Sequence, residues 1–85
     1  MFKSTFDRGF HITFKNGWTV SVQFGGGCYC DNRDLYSHSK VSSCKNAEIA
    51  AWNHDGEWYN FGSDTVKGYC TPDEVLAFMN KIAAK

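Results

Sequence analysis

The chain has 85 residues, nine basic and nine acidic side chains and a formal net charge of zero. That length leaves room for one hydrophobic core, which at this size buries only roughly 60% of the surface of the unfolded chain. Balanced charge without runs of either sign excludes generic capture of nucleic acid and the acidic excess of a DNA mimic.

Phe10, Ile12 and Phe14 alternate with His11 and Thr13, which predicts a half-buried strand over residues 10–14. Lys15-Asn16-Gly17-Trp18 follows, and Asn-Gly suits the positive φ angles of a two-residue type I′ hairpin. Trp18, Val20, Val22 and Phe24 then alternate with Thr19, Ser21 and Gln23, giving a second strand over residues 18–24. Gly25-Gly26-Gly27 ends it. Residues 28–46 are rich in Asp, Asn, Ser and Lys and lack a clear period, so a long loop is expected, with room for a short strand near residues 40–43. A loop of that length inside a small domain usually serves a function.

Residues 47–52 and 57–61 are apolar and aromatic runs joined by Asn53-His54-Asp55-Gly56, which carries an Asp-Gly turn signal and predicts a second hairpin. Residues 65–70 supply a fifth strand or lead across the sheet. Thr71-Pro72-Asp73-Glu74 opens a helix with an N-cap threonine, proline at the first helical position and the glutamate of a capping box. Val75, Leu76, Phe78, Met79, Ile82 and Ala83 recur with helical period, which predicts an apolar face that packs on the sheet. The expected architecture is one α+β domain over residues 1–85: an antiparallel sheet of four to five strands, built from two hairpins, against one C-terminal helix.

The opening residues lack the apolar stretch of a signal peptide, and no segment approaches the ~18 apolar residues of a membrane helix. A cytoplasmic protein that stays off membranes is expected. Cys28, Cys30, Cys44 and Cys70 are then expected as thiols. Their spacing, one pair with a single intervening residue and two solitary cysteines, argues against a zinc site, although a small zinc-binding protein is a further alternative. No signature of nucleophilic catalysis surrounds any thiol, and His11, His38 and His54 are expected as sheet, loop and turn residues. Asp55, Glu57 and Asp64 fall where turns need them. An enzyme is not expected, and no cofactor is implied.

The segment from Gly25 to Arg33 is the strongest candidate for binding. Gly26 and Gly27 let the backbone approach a ligand, Tyr29 offers a ring to stack on a base, and Asn32 and Arg33 offer polar contacts, with Arg33 suited to a phosphate. The pattern is neither a Walker A loop nor a Rossmann fingerprint, and a strand-ending bend with Arg33 paired to a neighbouring aspartate is the competing reading. Aromatic residues make up 16% of the chain. Trp18, Trp52, Trp58, Tyr59 and Tyr69 are candidates to line a ring-stacking cleft, with Trp18 and Trp58 chosen to complete the site; the competing reading gives these rings to the core or to contacts between subunits of a homo-oligomer.

Gly9-Phe10-His11-Ile12-Thr13-Phe14, the run from Asn16 to Gly25, Tyr29-Cys30-Asp31-Asn32-Arg33, Ala47-Glu48-Ile49-Ala50, Val66-Lys67-Gly68-Tyr69 and Thr71-Pro72-Asp73-Glu74-Val75 resemble small, mostly uncharacterised proteins encoded by phages and related mobile elements. Gly26 and Cys28 depart from that pattern, which has Gly-Pro-Gly-Asn there. The resemblance implies an accessory, anti-defence protein in the host cytoplasm that works by stoichiometric binding. It would sequester a nucleotide-like signal, for example a cyclic nucleotide, or else act as a protein-interaction inhibitor or structural accessory that binds a host or phage protein, such as a defence protein.

Overall fold

The computed structural model describes residues 1–5, 8–25, 30 and 43–85. It contains one five-stranded antiparallel sheet in the order β1-β2-β3-β4-β5 and one helix. The strands are β1 (Phe2–Ser4), β2 (Gly9–Thr13), β3 (Thr19–Gln23), β4 (Ala47–Trp52) and β5 (Lys67–Cys70), and α1 spans Pro72–Ala83. Each strand pairs with its neighbours in the chain, so the sheet is a simple meander.

Register sorts the side chains between two faces, because directly opposed residues point the same way. Phe2 faces Ile12, Ile12 faces Val20 and Val20 faces Ala51, while Phe10 faces Val22 and Val22 faces Ile49. On this face Val20, Val22, Ile49 and Ala51 form the core with Val75, Phe78 and Ile82 of α1, Phe10 and Ile12 pack against it, and Phe2 at the sheet edge stays exposed. Between them lie Lys3, His11, Ser21 and Ala50, and in the next row Thr13, Thr19 and Trp52, on the face without a helix.

The capping box at the helix start forms as expected. Glu74 N donates to Thr71 Oγ1 (3.2 Å), and Thr71 N donates back to Glu74 Oε1 (2.9 Å). These bonds hold the Glu74 carboxyl below its ordinary range. The apolar face is narrower than the sequence predicted: Leu76 and Ala83 are exposed. α1 packs mainly on β3 and β4, and a helix resting on two strands turns only one stripe inward.

Three further expectations are corrected. The first hairpin does not use a two-residue type I′ turn. Gly17 N donates to the Phe14 carbonyl (3.0 Å) and Phe14 N to that of Trp18 (2.9 Å), so Lys15, Asn16 and Gly17 form a three-residue loop. Only Gly17 in this loop has positive φ (88°). In such a loop only the closing glycine needs positive φ, so Asn16 keeps negative φ and its side chain reaches out of the turn. Its Oδ1 accepts from Trp18 N (3.0 Å), and its Nδ2 donates to the Ile82 carbonyl (2.9 Å) at the end of α1. The second turn repeats this design, with Gly56 N on the Asn53 carbonyl, Asn53 N on that of Glu57 and Gly56 at φ 81°.

The strand expected at residues 57–61 is reduced to one bridge, Trp58 opposite Trp52, because β5 takes up the rest of that edge of β4. An unexpected strand, β1, lies on the other side of β2. Residues 40–42 of the short strand expected near 40–43, and most of the predicted loop, fall outside the described residues.

Candidate functional site

On the helix-free face, three rings form a row. Trp52 is the last residue of β4, and the following turn is held by Asn53, whose Oδ1 accepts from Asp55 N and Glu57 N (3.0 Å each). The chain thereby returns with Trp58 opposite Trp52, and Tyr59 N donates to the Ala51 carbonyl (2.8 Å). The Trp52 and Trp58 ring centroids are 4.9 Å apart. His11, two strands away on β2, meets Trp52 edge-on at 5.1 Å, so the two rings arch over β3. Ser21 lies in this region and is 8% exposed although no helix covers it among the described residues. Trp58, at the outer end of the row, is 50% exposed.

The rest of this face is polar and cross-linked. Thr13 and Thr19 share a hydroxyl hydrogen bond (2.9 Å), Thr5 Oγ1 donates to Gln23 Oε1 (2.9 Å), and Gln23 Nε2 donates to Ser21 Oγ (3.2 Å). Burial, reinforced by the positive charge of Lys3, pushes the His11 pKa below its ordinary value. His11 is therefore a neutral ring at neutral pH, in T-shaped contact with Trp52.

On the helix side, Tyr59, Phe61 and Phe78 form a triangle with centroid separations of 4.9, 5.1 and 5.4 Å. Trp18 packs against the core on this side, with the Lys85 ammonium 5.2 Å from its ring centroid. Trp18 adjoins Thr19, the cross-strand neighbour of Trp52, and alternation turns it to the opposite face from Trp52 and Trp58. The two tryptophans chosen from the sequence therefore occupy different sides of the sheet. Gly26, Gly27, Tyr29, Asn32 and Arg33 lie outside the described residues.

The helix side also holds an apolar groove of about 240 Å³ between the first half of α1 and the β2–β3 end of the sheet, lined by residues including Phe10, Val22, Phe24, Leu76 and Met79. Cys44 and Cys70 border it, and burial raises the Cys70 thiol pKa, which disfavours the thiolate. Cys30, Cys44 and Cys70 are thiols, not disulfides. Among the described residues, no three His, Cys, Asp or Glu side chains converge as metal ligands would. Asp64 accepts from Thr65 N and Val66 N, and Glu57 from Asn53 Nδ2, as turn-forming residues. His54 meets its neighbour Asp55 at 3.3 Å on the exposed second turn.

The Trp52–Trp58 platform was only partly legible in the sequence. Trp52 and Trp58 both stand out in the sequence as rings able to line a stacking cleft, but their pairing depends on a three-residue loop closed by Gly56 at positive φ. No helix among the described residues is long and apolar enough to cross a membrane. No protein-family profile matches the chain, and no curated protein or solved structure shows a significant match to it.

Proposed function

We propose that this chain is a non-enzymatic binding module that takes up a ligand with a planar ring, of the nucleotide-like class, by stacking the ring on Trp58. The observation that carries this reading is the half-exposed Trp58 ring, backed by Trp52, which in turn makes a T-shaped contact with His11. Ring stacking of this kind contributes about 1–3 kcal/mol per base and does not require a basic protein. A balanced net charge then favours a small ligand over a long polyanion. Holding such a ligand without turning it over is sequestration, the role that the resemblance to phage-encoded accessory proteins suggests.

A thermal-shift panel of mono-, di- and cyclic nucleotides tests this. Ligand at one hundred times its Kd adds about 2.7 kcal/mol, on the order of a 10 °C rise in Tm for a domain of this size. The expected result is such a rise for one class of nucleotide and its loss in Trp58→Ala, with the unliganded Tm of that variant lowered by no more than several degrees. No rise for any nucleotide sinks the reading. Recovery from a lysate of a protein partner whose capture requires Trp58 favours the protein-interaction inhibitor instead, since exposed tryptophans are also common anchors of protein interfaces.

A further inference from the structure

We propose that the half-covered apolar face beside α1 is the contact surface of a symmetric homodimer. Only β3 and β4 lie squarely under the helix. On the β1–β2 half of the same face, Phe2 is 75% exposed and touches Phe10 at a ring separation of 6.5 Å. Next to them the 240 Å³ groove opens, with Leu76 on its rim 55% exposed. A projecting apolar side chain and a hollow in one patch are what a two-fold contact needs, because the symmetry sets the projection of each copy over the hollow of the other. The groove is smaller than the roughly 300–1,000 Å³ typical of drug-sized ligands and has room for an apolar side chain.

Charge at the rim points to the same occupant. Lys45 borders the groove on the sheet side, and Asp73 lies on α1 close to one turn before Leu76. With Leu76 of each copy in the other's groove, each Lys45 approaches the other copy's Asp73, giving an apolar centre inside a rim of opposite charges. A net charge of zero leaves no overall repulsion between copies. The contact uses the helix side, so the Trp58 platforms stay exposed on both subunits, and dimer formation does not depend on the ligand reading above.

Sedimentation equilibrium from low micromolar to several hundred micromolar protein tests the assignment. A concentration-dependent dimer is expected. Leu76→Asp should raise its Kd at least about ten-fold, as loss of a central apolar anchor does. Lys45→Glu should weaken it a few-fold and Lys45→Glu/Asp73→Lys should restore it. Leu76 and Lys45 are exposed, so these variants should keep the parent Tm, and Trp58→Ala should leave the dimer intact. A monomer at every concentration, or a dimer indifferent to Leu76→Asp, overturns the proposal. A monomer that instead retains an apolar peptide in native mass spectrometry overturns it as well and assigns the groove to that peptide.

Discussion

Alternate residues of the same strands build two different surfaces. Beneath α1, Val20, Val22, Ile49 and Ala51 meet Val75, Phe78 and Ile82, and cohesion comes from apolar area removed from water. On the other face, Thr13, Thr19, Ser21 and Gln23 are joined by hydroxyl and amide hydrogen bonds, and three rings lie across them. A net hydrogen bond contributes only about 1 kcal/mol, whereas a buried aliphatic side chain contributes about 2–3. Stability is therefore concentrated on the helix side. The helix-free side can change its exposed side chains at small cost, and a binding surface is best placed there.

The sharpest way to break this comparison is Ile82→Ala. The residue is fully buried, and truncation should cost about 3–4 kcal/mol in urea unfolding, a large part of the stability of so small a domain. Gly9→Ala should come next, at about 2–3 kcal/mol, although position 9 belongs to the helix-free register. A Cβ there would lie 2.0 Å from the Val22 carbonyl oxygen, so backbone crowding, not the chemistry of the face, sets the cost. Asn16→Ala removes the bond to the Ile82 carbonyl and should cost about 1 kcal/mol by the same measurement. Trp58→Ala, backed only by Trp52, should cost about 1 kcal/mol or less.

The smallest expected effect is a pH dependence from His11. Its pKa in the folded chain is depressed below the unfolded value of 6.5, so the unfolded chain binds the proton more readily. The stability due to neutral His11 is complete above that value and declines as pH falls through it toward the folded pKa. Melting from neutral to mildly acidic pH should show this decline, and His11→Phe should flatten it. An unchanged slope in that variant would show that the imidazole is not the group responsible.

Elements governed by neighbouring residues were legible in the sequence. The capping box at Thr71 and Glu74 depends on four consecutive residues, and the 10–14 and 18–24 strands announce themselves by alternation. Phe2–Ser4 gives no such signal in three residues and becomes a strand only because β2 offers it an edge. The 57–61 run has the composition of a strand, yet competition from β5 for β4 leaves it one bridge. At Lys15-Asn16-Gly17 the Asn16 amide bonds the Ile82 carbonyl 66 positions away, a contact that no local pattern encodes. For the candidate site, composition revealed a surplus of rings, but the sides taken by Trp18 and Trp58 follow from strand register and a turn, which composition does not encode.

The meander order has a consequence for how the molecule reaches this state. β1, β2 and β3 pair across short stretches of chain, so contact formation in that half needs little prior search. β3 and β4 are joined by the longest connection in the sheet, and closing it should be the slow step. Closure entropy rises only with the logarithm of loop length, about 0.6 kcal/mol for each doubling. Residues inserted between Phe24 and Ala47 should therefore slow folding far more visibly than they lower stability.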